Sequence, residues 1–257
     1  MRITLLTNRD LPSHLALSHL VQQLGDHEVS IFISEKVGSD YVLPTPLMDL
    51  QGFELELLQD GRASFEQLAN KAGTSLQGFV DIDNKINEHA GIERVKATQP
   101  DLIISVRFSL IIGQDIIDIP QHGVINLHSG ILPDYRGVMA IFRAMSNGDI
   151  NIGSTLHFIQ DSGIDTGDII SIATLPLERQ SSYLLNVLSL YSGGVKQIMD
   201  AVKTLSESNT LQSHSQQGIP RYFTFPTTAE LNHLFPQGSK LFDSQERTAI
   251  TRLYALS

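Results

Sequence analysis

Asn126 and His128 stand one residue apart at the end of the apolar run GVINLH, residues 123–128. In an extended strand such residues share a face, so an amide and an imidazole would project side by side. That pair suits two tasks. The amide can donate to an oxyanion developing on a carbonyl, and the imidazole can support the same charge or relay a proton near neutral pH. A carboxylate, Asp165, follows in the loop DSGIDTG, residues 161–167. Asp and Gly are also what turns prefer, so Asp165 becomes a chemical candidate only through the company it keeps. Asp161 reads first as a residue that shapes this loop.

Other polar residues read as structural. His157 falls two positions after Thr155 in an expected strand and is taken as a satisfied structural histidine. His122 precedes Gly123 at a strand entrance, the end of a parallel sheet away from ligands. His14 and His19 are five apart on an expected helix, a poorer metal spacing than four. Arg136 and Arg143 are equally suited to an anionic ligand and to surface ion pairs.

The elements that must position these groups follow from periodicity. Residues 2–7 read as a strand, Leu15, Leu17, Leu20, Val21 and Leu24 as a helix, and 28–34 as a second strand. Strand, helix, strand is the opening of a doubly wound, mainly parallel sheet. Residues 35–80 resist assignment, because Pro44 and Pro46 interrupt regular structure and Phe53, Leu55, Leu57 and Leu58 fit a helix or a strand. From Phe79 a helix is expected to lead to Pro100. Strands are expected at 101–106, 123–128, 154–159 and 168–177, with helices at 137–147 and 184–205. Residues 206–218 are polar and read as a linker. The expected organisation is therefore an α/β domain over 1–205 and a linker with a short C-terminal extension over 206–257.

The chain has 257 residues, 41% of them hydrophobic, and a formal net charge of −10. This supports one sizeable core and makes a broad phosphate-backbone footprint unfavourable. Cysteine is absent, which removes disulfides, thiol nucleophiles and Cys-ligated zinc, and fits a cytoplasmic protein. No apolar run reaches the roughly 20 residues of a membrane helix.

Taken together, residues 123–170 resemble the folate-dependent formyltransferases, a family spanning methionyl-tRNA, glycinamide ribonucleotide and sugar-nucleotide enzymes. The matching motifs are Asn126-Leu127-His128, then Leu132-Pro133-Asp134-Tyr135-Arg136-Gly137, then Gly153-Ser154-Thr155-Leu156-His157, then Asp161 to Gly167. The resemblance is close over roughly residues 100–175 and extends to 1–205 in architecture. It implies a Rossmann-like fold and a metal-free catalytic trio of Asn126, His128 and Asp165. It also implies a donor, 10-formyltetrahydrofolate, whose pterin packs on Phe108, Ser109, Leu110, Ile111 and Ile112 and on the loop from Asp161 to Asp165.

The expected activity is one-carbon transfer to the amine of a small-molecule acceptor, with no nucleic acid or membrane partner and a homodimer left open. Three alternatives stand beside it: a methionyl-tRNA formyltransferase-like enzyme, a formyltetrahydrofolate hydrolase, and a non-catalytic folate-binding module. The loop 8–13 (NRDLPS) lacks both the Gly-rich phosphate loop of the glycinamide ribonucleotide enzymes and the Gly-Thr-Pro start of the methionyl-tRNA enzymes. That departure counts against those two acceptors. The 206–257 segment balances four basic against four acidic residues, a poor grip for RNA. The acceptor site is expected to border the loop 8–13 and the aromatic segment 222–226.

Overall fold

Apolar residues alternate along the first strand so that Ile3 and Leu5 enter one core and Leu6 the other. A strand that is apolar on both faces must lie inside a sheet covered on both sides. The computed structural model, which describes residues 1–34, 43–74, 79–81, 85–234 and 238–255, has this arrangement. Five parallel strands, β1 (Arg2–Asn8), β2 (Glu28–Ser34), β3 (Phe79–Asp81), β4 (Leu102–Val106) and β5 (Val124–His128), stand in the order β3-β2-β1-β4-β5. Two antiparallel strands, β7 (Asn151–Ile159) and β8 (Ile169–Pro176), complete the sheet beyond β5.

One face carries α1 (Leu11–Gln23), α2 (Thr45–Gln59), α3 (Phe65–Lys71), α6 (Ala140–Asn147) and α7 (Tyr183–Ser208), and holds the larger core. The other carries α4 (His89–Ala97) and α5 (Gln114–Ile117) over Leu6, Phe32, Ile103 and Val124. Beneath β5, α7 approaches so closely that a Cβ on Gly194 would stand 2.7 Å from Leu127 Cδ2. Among the described residues no helix is long and apolar enough to cross a membrane.

Several expectations need correction. A helix was expected from Phe79 to Pro100. Phe79–Asp81 is instead the edge strand β3, paired in parallel with β2 from Ile31↔Phe79, and the helix begins only at His89. The backbone pairing offered by an open sheet edge outweighs the weak local pattern there. Within 35–80, residues 45–59 are a helix in which Pro46 occupies the first turn, where its missing N–H costs nothing. Residues 35–42, 75–78 and 82–84 lie outside the described residues.

The helix expected from Gly137 begins at Ala140. Arg136–Gly137 (β6) pairs instead with Tyr222–Phe223 (β9) in a small parallel ladder. Gly137 has φ 91° and a Cβ there would stand 2.1 Å from the Phe223 carbonyl oxygen, so only glycine fits. The polar stretch after α7 is laid along the sheet: His214 exchanges two backbone hydrogen bonds with Ile169. Farther on, α8 (Thr228–Leu234) and α9 (Arg247–Leu253) contribute Leu231 and Ile250 to the larger core.

Candidate active site

At the end of β5, Leu127 points into the larger core while Asn126 and His128 share the opposite face, as the spacing predicts. The antiparallel partner β7 aligns His157 with Asn126 and Thr155 with His128. Thr155 Oγ1 donates to the Gly130 carbonyl and accepts from the Leu132 amide, holding the chain where it leaves β5. The β7 end, Ile159, lies beside Val124, four residues before His128. The following loop therefore doubles back over the sheet face to bring Asp165 to the two imidazoles.

Asp165 is held in a left-handed conformation, φ 53°, which Asp tolerates better than most residues. One carboxylate oxygen, Oδ2, accepts from the Gly137 amide at 2.8 Å and lies 3.4 Å from His128 Nδ1. The other, Oδ1, lies 3.5 Å from His157 Nε2. His128 Nε2 is 2.6 Å from the Tyr135 carbonyl oxygen, which can only accept, so that nitrogen carries the proton. The ring position free to change protonation is then Nδ1, which faces Asp165. In the same way His157 Nδ1 donates to the Phe158 carbonyl, and its Nε2 meets the Asn126 amide nitrogen at 3.1 Å. Burial alone would push the Asp165 carboxyl up. The charge of His128, the hydrogen bond and charge of His157 and the Gly137 amide outweigh burial and hold it at about 2. The site thus holds a carboxylate between two imidazoles.

These groups open into a cavity of about 730 Å³. One wall comes from two short segments, residues 107–112 after β4 and residues 161–165 after β7. Ile111 and Ile164 line it with about half of their surfaces bare, 55% and 41% exposed. The rest of the lining is gathered from Asn8, Arg9 and Asp10 after β1, Leu47, Leu50 and Glu54 on α2, and Tyr222 and Phe225 from the C-terminal segment. Arg107 Nη2 joins the two groups by meeting Asp10 Oδ2 at 2.9 Å, and Arg9 Nη1 meets Glu66 Oε1 at 3.1 Å. Burial, with Asp10 adding to it, raises the Glu54 carboxyl to about 8, against the pull of Arg107.

Residues 64–183, which contain Asn126, His128 and Asp165, match the formyl transferase family. The match takes in just under half of the chain. A methionyl-tRNA formyltransferase from Francisella philomiragia subsp. philomiragia is 34% identical over 132 residues, 51% of this chain and 41% of that protein. The chain thus spans well under two thirds of that relative's length. In fold it is similar to glycinamide ribonucleotide transformylase 1 from Symbiobacterium toebii. That likeness has a TM-score of 0.60 and 16% identity, and covers 84% of this chain and 95% of that one. It is also similar to an N-formyltransferase from Helicobacter canadensis in complex with folinic acid and dTDP-3-aminofucose. There the TM-score is 0.54 and the identity 18%, covering 87% and 71% of the two chains.

Within the matched region, Asn126, His128 and Asp165 meet at one cavity, and Phe108, Ser109, Leu110, Ile111, Ile112 and Asp161 all line it. Asp161 Oδ1 also accepts from the Gly163 amide and the Thr166 hydroxyl, which fixes the loop around Asp165. His157, read from sequence as structural, touches both Asn126 and Asp165. Its signal lay in strand register, since an antiparallel β7 puts position 157 opposite 126. His14, in contrast, is spent on the Tyr254 hydroxyl and the Ala63 carbonyl, and Arg143 on Glu230 and the Thr224 carbonyl. Arg136 binds Gln216. Nothing in the sequence pattern pointed to Glu54 or Gln216.

Proposed function

We propose that the chain moves a formyl group from 10-formyltetrahydrofolate to the amine of a small molecule, with Asn126, His128 and Asp165 as the catalytic residues. The observation that carries this reading is the meeting of an amide, a tautomer-fixed imidazole and a buried carboxylate at the edge of one large cavity. The bare flanks of Ile111 and Ile164 fit a flat apolar ring system, and the backbone of 107–112 and 161–165 offers it polar partners. The donor supplies an activated formyl carbon.

Asn126 donates to the formyl oxygen as it gains charge when the free amine adds to that carbon. His128 bears a proton on Nδ1 at that stage, and Asp165 stabilises the imidazolium it faces. The bond from the formyl carbon to the carrier nitrogen then breaks. The amine has lost one proton and the carrier nitrogen has gained one, a transfer within reach of the His128–Asp165 pair, so no proton is released overall. A proton-transfer group of this kind contributes about 10²–10⁴-fold.

A small acceptor is supported by the commitment of Arg9 and Arg107 to carboxylates and by the net charge of −10, which opposes a long polyanion. Its site borders Asn8–Asp10 and Tyr222. The test is product analysis by mass spectrometry after incubation with 10-formyltetrahydrofolate and a panel of amino acids, hydroxylamines, aminosugar nucleotides and charged initiator tRNA. One formyl group gained by a small amine is expected. Formate release without an acceptor would make the protein a hydrolase, and robust formylation of the tRNA would overturn the small acceptor.

A further inference from the structure

Asp165 is held by a closed ring of hydrogen bonds whose last member comes from 51 residues farther along the chain. Gln216 Nε2 donates to the Asp165 carbonyl and to the Gly167 carbonyl, both at 2.8 Å. Its Oε1 accepts from Arg136 Nη2 at 2.8 Å and Nε at 3.2 Å. Arg136 precedes Gly137, whose amide donates to the Asp165 carboxylate. The Gln216 amide therefore uses both of its protons and accepts two more, and it ties the backbone of Asp165 to the residue beside its carboxylate's donor.

The segment bearing Gln216 is itself pinned on both sides. His214 pairs with Ile169 upstream, and downstream the Arg221 and Phe223 carbonyls accept from the Arg136 and Val138 amides. Gln216 is half-buried and outside both cores, so filling space is not its task.

We infer that Gln216 is a positioning residue for Asp165. A left-handed Asp in a surface loop has other conformations open to it, most of which would turn the carboxylate away from His128. Two carbonyls bound by one amide, which Arg136 holds in turn, remove them. The C-terminal segment thereby completes a site whose chemistry lies wholly between β5 and β8. The kinetic part of this inference rests on the proposed transfer reaction; the spectroscopic part does not.

The test compares Gln216→Met, which removes all four hydrogen bonds, and Gln216→Glu, which keeps the Arg136 contact but cannot donate to the two carbonyls. The first readout is the ring nitrogen resonances of ¹⁵N-labelled His128. Both variants, folded by circular dichroism, are expected to move them in the direction seen for Asp165→Asn. Resonances that stay at wild-type positions in either folded variant overturn the inference, whatever the protein transfers. The second readout is kinetic. In both variants kcat should fall about tenfold, as a small misplacement of a reacting group does, with the KM of donor and amine unchanged within about twofold. On an Asp165→Asn background the same substitutions should change the residual kcat less than about twofold, because the group they position is gone. Losses that multiply with Asp165→Asn, or that fall on KM, would make Gln216 merely structural. If the resonances move but wild-type protein transfers no formyl group to any amine, the positioning role stands and the proposed function fails.

Discussion

The two walls of the cavity are built in opposite ways. One comes from two short loops, 107–112 and 161–165, that follow β4 and β7, the strands on either side of β5, and it carries or abuts Asn126, His128 and Asp165. The other is assembled from the first loop, α2 and the segment around Tyr222, separated by up to about two hundred residues of chain. The first kind of wall is anchored on strands whose hydrogen-bonded register tolerates little displacement, and its second loop is tied down by Asp161, Gly137 and Gln216. The second is fixed by side-chain packing of separate elements, where single substitutions reshape the surface while the sheet stays intact. On the proposed reading, the two-loop wall serves the carrier and the reaction, and the assembled wall decides which amine is accepted.

Substitutions can break this division. The largest effect is expected at the strand end. His128→Ala and Asp165→Asn should each lower kcat by about 10²–10⁴-fold in steady-state assays, with the protein still folded by circular dichroism. Turnover near wild type in either would remove the mechanism. Next comes Ile111→Asp, which sets a charge on the bare apolar flank and should weaken the carrier by about tenfold or more by calorimetry, leaving the amine KM alone. Tyr222→Ala tests the opposite wall. It should raise the KM of the amine by about fivefold, the value of one modest aromatic contact, with kcat retained. If it weakened the carrier as well, the two walls would not be functionally distinct.

The smallest effect concerns pH. In the folded protein Glu54 keeps its proton up to about 8, well above the 4.5 of a free side chain. Between those values the unfolded chain gives up a proton that the folded one retains, so this group lowers stability as pH rises. Glu54→Gln should therefore gain in melting temperature over wild type on going from pH 5 to pH 9. A constant difference would mean that Glu54 is solvated and not part of the wall's interior.

The same contrast explains what was legible beforehand. β1, α1, β2, β4 and β5 follow from periodicity because each buries a regular set of apolar residues. The amide, imidazole and carboxylate were legible because a strand of period two and a Gly-punctuated loop leave a local trace. α2 was hidden by Pro44 and Pro46, whose position at a helix start looks in isolation like a break in structure. β3 was hidden because three residues at a sheet edge have no pattern of their own. His157 required knowing that β7 runs antiparallel to β5, and Gln216 that a polar stretch crosses over the Asp165 loop. Both are facts of long-range pairing that no window along the chain contains.

Gly194 shows how far such coupling reaches. With α7 pressed against β5 at that point, the residue that separates Asn126 from His128 rests on a helix position that has no side chain. Leu127 and the space above Gly194 form a single volume shared by two distant positions. An alanine at 194 would gain helix propensity, about 1 kcal/mol, yet would set a methyl group against the Leu127 side chain, which must shift to admit it. A smaller residue at 127 would make room for it. The two positions are therefore coupled through one side chain, and the packing beneath the amide and imidazole is set from the far side of the sheet.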